Sequence, residues 1–160
     1  MAQQRTNGVP YGAFNFQVTA GPISGSPTST NAGFQEISGL GMEVTEAEYR
    51  VGNDPENYVH KVSGLTKATD VTLKRGVMGW TDLSTWITTV RDGGYAGQTA
   101  QAGTTVTINL MDEAQAGPVM TWTLTNAKPK SYKGVTLNAK GGTDVAIEEL
   151  VLSVEKIDVS

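Results

Sequence analysis

Two runs of this chain alternate strictly between large apolar and small polar side chains. In the first, Val106, Ile108 and Leu110 interleave with Thr105, Thr107 and Asn109; in the second, Met120, Trp122 and Leu124 interleave with Thr121, Thr123 and Thr125. Successive side chains of a strand point to opposite faces, so an extended strand keeps each set on one side. A loop carrying Asp112, Glu113, Gly117 and Pro118 separates the runs, which predicts an antiparallel hairpin with one apolar face and one hydroxyl-rich, uncharged face.

The same period recurs along the chain. Phe14, Phe16 and Val18 alternate with Asn15, Gln17 and Thr19, and Val71 and Leu73 alternate with Asp70, Thr72 and Lys74. In the last segment Leu150, Leu152 and Val154 share one side while Val151 takes the other, the pattern of a final strand covered in part on both faces. Thr45, Ala47, Tyr49 and Val51 alternate with Glu46, Glu48 and Arg50 before a Gly-Asn-Asp-Pro turn, and a return strand follows through Tyr58 to Val62. This predicts an extended hairpin from about Met42 to Val62, with Glu46, Glu48, Arg50, Asp54 and Glu56 along it. The Gly/Pro/Ser/Thr-rich stretch from 20 to 33 reads as a surface loop.

One helix breaks the period. Leu83, Trp86, Ile87 and Val90 fall at i, i+3, i+4 and i+7, with Thr81 or Asp82 as N-cap and Gly93 or Gly94 as terminator. Trp80 precedes the cap, where it can pack back on the first turn. The predicted core is therefore Val71, Leu73, Trp80, Leu83, Trp86, Ile87 and Trp122.

Composition narrows the function classes. The 160 residues, 38% of them hydrophobic and 18% charged, with 19 glycines, suit a single mainly β domain spanning 1–160. A net charge of −4 without a basic stripe argues against a nucleic-acid binder. With no cysteine, thiolate ligation and disulfides are impossible. No apolar leader and no run of ~18 apolar residues is present, so neither a signal peptide nor membrane insertion is expected. His60 is the sole histidine, which leaves a catalytic triad or a histidine metal site without partners. The acid pairs Asp112/Glu113, in the loop, and Glu148/Glu149, on a strand where adjacent side chains diverge, do not build a paired-carboxylate dyad, and both read as solvated or interface charges. No phosphate-cradling glycine motif occurs. The expectation is a protein that is not an enzyme, with no catalytic residues, no metal and no cofactor. Lys74 and Arg75 are expected to form ion pairs with a neighbouring subunit or a partner protein.

Several strings, in order, resemble the inner tube proteins of contractile phage tails and related contractile injection systems. They are FQEISGL, EYRVGN, VSGLTKATDVTLKRGV, LSTWI, TINLMDE, TWTLTNAKP and DVAIEELVLSVE, and they are spread over nearly the whole chain. The resemblance implies a small antiparallel β-barrel or sandwich with one flanking helix and an extended hairpin, forming hexameric rings that stack into a hollow conduit inside a sheath. It implies as partners the chain itself, a sheath protein, baseplate or spike and terminator proteins, and a luminal cargo of effector protein or DNA. Such a subunit is made in the cytoplasm and assembled into a phage tail or injection particle. In that setting Glu46, Glu48, Arg50, Asp54 and Glu56 are expected at contacts between stacked rings, Thr105, Thr107, Asn109, Thr121, Thr123 and Thr125 on the lumen, and Lys74 and Arg75 against an adjacent subunit or the sheath. Two other readings are a tube-like secreted protein of type VI secretion that binds effectors and a monomeric adhesin or carbohydrate-binding β domain. The latter calls for a row of exposed aromatics, whereas Trp80, Trp86 and Trp122 fall at predicted core positions.

Overall fold

The computed structural model describes residues 10–20, 31–53, 55–56, 58–79, 81–92 and 103–160. In chain order the elements are β1 (Phe16–Ala20), β2 (Asn31–Ala32), β3 (Glu36–Ser38), β4 (Met42–Tyr49), β5 (His60–Ala68), β6 (Val71–Gly76), α1 (Asp82–Asp92), β7 (Thr104–Met111), β8 (Pro118–Lys133), β9 (Ile147–Ser153) and β10 (Lys156–Val159). Apart from β4 and β5 the strands make one antiparallel sheet ordered β2-β1-β7-β8-β9-β6-β3, with β10 also paired to β8. Strands β4 and β5 pair with each other as a separate hairpin.

The predicted hairpin of alternating threonines is the centre of this sheet: Ile108 lies opposite Trp122, Thr107 opposite Thr123 and Asn109 opposite Thr121. Its second arm is far longer than the alternation marked, because β8 runs on for 16 residues. Its first half pairs with β7 and β10, its second half with β9. Strands β9 and β10 divide at Val154–Glu155 yet follow β8 in one register, Lys128 facing Ser153 and Thr125 facing Lys156. The final element read as one strand is thus two.

The sheet folds over on itself. Val18, Val106, Ile108 and Leu124 from one half meet Val71, Leu73, Leu150 and Leu152 from the other in a single core, which Leu83 and Trp86 of α1 complete. Of the predicted core, Val71, Leu73, Leu83 and Trp86 are buried, Ile87 and Trp122 are half-buried, and Trp80 lies outside the described residues. Thr81 serves as N-cap, its carbonyl accepting the first helical bond from Thr85 at 2.8 Å and a second from the Ser84 hydroxyl at 2.9 Å. The predicted glycine terminators, Gly93 and Gly94, fall outside the described residues.

The projecting hairpin departs from its expected bounds. Its outgoing strand β4 begins at Met42; before it, β3 pairs with β6 and ends at Ser38, and the backbone turns at Gly39 through φ 86°. The return strand β5 begins at His60 and continues to Ala68, six residues beyond Val62 by numbering. Its pattern is disguised by a bulge, because Gly64 and Leu65 together oppose Thr45 between the Val44/Thr66 and Glu46/Ser63 pairs. The Thr45 hydroxyl donates to the Leu65 carbonyl across it at 2.5 Å.

Candidate functional site

Strand parity gathers the polar residues of four strands on one sheet face. Register sets Gln17 beside Asn109 and Thr19 beside Thr107, and on the other flank Thr123 beside Asp158 and Thr125 beside Lys156. The predicted set Thr105, Thr107, Asn109, Thr121, Thr123 and Thr125 is therefore the middle of a wider surface running from β1 to β10. None of these side chains is buried, and the core lies under the opposite face. The Thr121 hydroxyl donates to Asn109 Oδ1 at 2.9 Å, a cross-strand bond that ties the two central strands. The wider surface, unlike the six residues at its middle, is charged at one margin, where β10 adds Lys156 and Asp158. They lie 2.7 Å apart and neutralise each other.

The hairpin of β4 and β5 is exposed along its whole length except at Ala68. Glu46 and Glu48 share one face, opposite Ser63 and Lys61; Lys61 reaches Glu46 at 3.4 Å. The other face carries Ala47 and Tyr49 opposite Val62 and His60, with the His60 ring edge-on to Tyr58 at 5.2 Å between centroids. Leu65 is 77% exposed, and Val44, Tyr49 and Val62 are more than half exposed. This much apolar surface on an element that buries nothing of its own marks an interaction surface. Arg50 and Glu56 lie beyond β4 on the exposed turn, and Asp54 is outside the described residues.

Lys74 and Arg75 take opposite faces of β6. Lys74 is partly exposed and donates to Glu36 of β3 at 3.0 Å, which holds its ammonium above the ordinary value. Arg75 is the correction: it is 1% exposed and unavailable to a neighbouring subunit or a sheath. Parity explains why, because Val71, Leu73 and Arg75 are alternate residues of one strand and all three face the core. Its Nε donates to Glu148 Oε1 at 2.6 Å and its two terminal nitrogens grip both carboxylate oxygens of Asp82, Nη1 at 3.0 Å from Oδ2. Glu148 is 4% exposed, not the solvated or interface charge expected, and its Oε2 accepts the Tyr132 hydroxyl at 2.9 Å.

The cluster ties α1 to both β6 and β9, since Asp82 opens the helix, where a carboxylate also suits the helix dipole. Burial opposes the guanidinium charge, but the two carboxylates outweigh it and hold Arg75 above its ordinary value. Burial, with Glu148 adding to it, pushes the Tyr132 phenol up. Glu149, on the outer face, pairs with Lys133 at 2.7 Å, and that hydrogen bond lowers its carboxyl. Among the described residues no group of three or more metal-ligating side chains converges, and no helix is long and apolar enough to cross a membrane.

The polar sheet face and the exposed hairpin lie on the surface and the charge cluster lies inside, and the fold that positions them is shared with known proteins. The chain is 26% identical to a chain of the cryo-EM structure of an extracellular contractile injection system, the PVC sheath–tube complex in its extended state; the match covers 99% of each chain at a TM-score of 0.77. It is 25% identical to a chain in the 6-fold symmetrised baseplate of the anti-feeding prophage, over 95% of this chain and 96% of that one, at a TM-score of 0.75. The fold extends further, to Hcp1 from Flavobacterium johnsoniae at 12% identity and a TM-score of 0.52, covering 92% and 95% of the two chains. No curated protein matches the chain in sequence. Residues 12–158 match the T4-like virus tail tube protein gp19, and the chain belongs to that family.

Proposed function

We propose that this chain is the repeating subunit of the inner tube of a contractile tail or injection system, a conduit with no catalytic role. Copies close into rings, six to a ring on the family resemblance and the 6-fold symmetry of the baseplate relative, and the rings stack inside a sheath. The polar face spread over β1, β7, β8 and β10 is the observation that carries the reading. A hydroxyl-rich surface stays wet, and with its one ion pair self-neutralised it offers passing protein or DNA little charge to hold on to. Among the described residues the outer edge of β10 has no strand partner, and β2 covers only Val18 and Thr19 of β1. Open edges are a liability in a monomer and a means of closure in a ring, where each meets the next subunit's opposite edge.

Negative-stain microscopy of the purified full chain should show rings or tubes with a stain-filled lumen. Because the chain has no cysteine, Thr123→Cys gives one addressable thiol on the polar face. A polymer-linked maleimide too large for the bore should label it readily in free chains and slowly once tubes have formed. Equal labelling rates in the two states place Thr123 on the tube exterior and reject the luminal assignment.

The projecting hairpin is assigned to contacts between stacked rings, with Glu46, Glu48, Arg50 and Glu56 setting register and the exposed apolar side chains providing area. Reversing the pattern with Glu48→Arg and Arg50→Glu should change stability little, by about 0.5 kcal/mol or less for exposed positions. Tubes should become short or fail to form in micrographs. Tubes of native length sink the assignment.

A further inference from the structure

The hairpin leaves the body of the protein on two legs that touch where they pass. The outgoing leg is Gly39–Gly41 and the returning leg Ala68–Asp70, and the Thr69 hydroxyl sits between them. It accepts the Gly41 N–H at 3.1 Å and shares its one proton between the carbonyl oxygens of Gly39 at 2.5 Å and Gly41 at 3.0 Å. The Thr69 amide donates to the Gly41 carbonyl at 3.1 Å, and the Gly41 amide also reaches the Gly39 carbonyl at 2.9 Å. Gly39 permits the contact twice over: its φ is +86°, and a Cβ there would lie 2.1 Å from the Asp70 carbonyl oxygen. Leu40 and Ala68 beside the crossing pack against the core. Past this point, among the described residues, the hairpin borders the body across a cleft at its root, where Met42, Thr66 and Ala68 face Ile157 and Val159.

We propose that the Thr69 clasp is an angle lock, which fixes the direction of the hairpin in the free chain so that it arrives at assembly already aimed. The functional half of this rests on the hairpin's role in ring stacking; the mechanical half does not. Leverage makes the lock matter. The nine residues of β5 extend about 30 Å at roughly 3.3 Å per residue, so a swing of about 10° at the root carries the tip through about 5 Å. That exceeds the ~4 Å within which an ion pair forms, so a loosened root would leave the tip charges out of reach of their partners for most of the time. Fixing the angle beforehand removes that ordering cost from association.

The absence of cysteine allows two spin labels to be placed in the full chain, at Val51→Cys near the hairpin tip and Lys133→Cys on the body. With Thr69 in place, pulsed electron–electron distance measurement on the unassembled protein should give one narrow distribution. Thr69→Val keeps the size and loses the hydroxyl, and should broaden the distribution several-fold; Thr69→Ala, which adds no methyl against Gly39, should do the same, while Thr69→Ser restores the narrow form. If the aimed state falls to about a tenth of the population, the concentration needed for tubes rises about tenfold in Thr69→Val. An unchanged width in both Thr69→Val and Thr69→Ala overturns the lock. Broad distributions accompanied by undiminished tube growth leave the lock standing and overturn the stacking role of the hairpin.

Discussion

Arg75→Met should lower the melting temperature of the isolated chain by roughly 10 °C, before any ring has formed. Removing the cation leaves the buried carboxylate of Glu148 and the partly buried one of Asp82 without their counter-charge, and breaking a buried pair in this way typically costs about 3–5 kcal/mol. In a chain of this size each kcal/mol moves the transition by roughly 2–4 °C. Circular dichroism melts on the unassembled protein measure it. A native melting temperature with failed assembly would return Arg75 to the subunit contact that its burial now excludes. Neutralising the cluster as a whole, with Asp82→Asn and Glu148→Gln added to Arg75→Met, should recover much of the loss. The penalty lies in the uncompensated charges and not in the absent guanidinium, and Gln at 148 still accepts the Tyr132 hydroxyl.

Trp86→Ala should cost a similar amount for a different reason. Its ring is only 8% exposed and joins Leu83 in closing the core, and truncating a core tryptophan costs about 3–5 kcal/mol in lost contacts and an unfilled cavity. A neutral effect in calorimetry means that α1 is not docked as described. The two substitutions loosen the same helix, one from its first turn and one from its middle. Their combined effect should therefore fall short of the sum, because a helix already released by one loses less to the other.

Both residues sit in the string TLKRGVMGWTDLSTWI, and it shows what could be read from sequence. Trp86 was legible from helical spacing, which needs no tertiary information. Arg75 was legible too, by parity: once Val71 and Leu73 are assigned to the core, the next residue on that face is Arg75. The adjacent lysine and arginine suggest a basic pair, but consecutive strand positions diverge, so one is outside and the other inside. Glu148 obeys the same count backward from Leu150 and Leu152. What no local pattern reveals is that β6 and β9 are neighbours, which sets Arg75 opposite Glu148. The threonine face was readable on β7 and β8 but not its continuation on β10, because Lys156 and Asp158 join it only through pairing with β8. The hairpin's return is hidden from a period-2 count by the bulge, where Gly64 and Leu65 shift the phase of the alternation.

The length of β8 has a mechanical consequence. One unbroken strand is bonded to β7, β9 and β10 along 16 residues, and antiparallel hydrogen bonds lie perpendicular to the strand direction. A pull along β8 therefore loads these bonds in shear, many at a time, whereas a pull across it would peel them singly. In a conduit loaded along that direction, the subunit's two halves are joined by a tie beam rather than by a chain of turns.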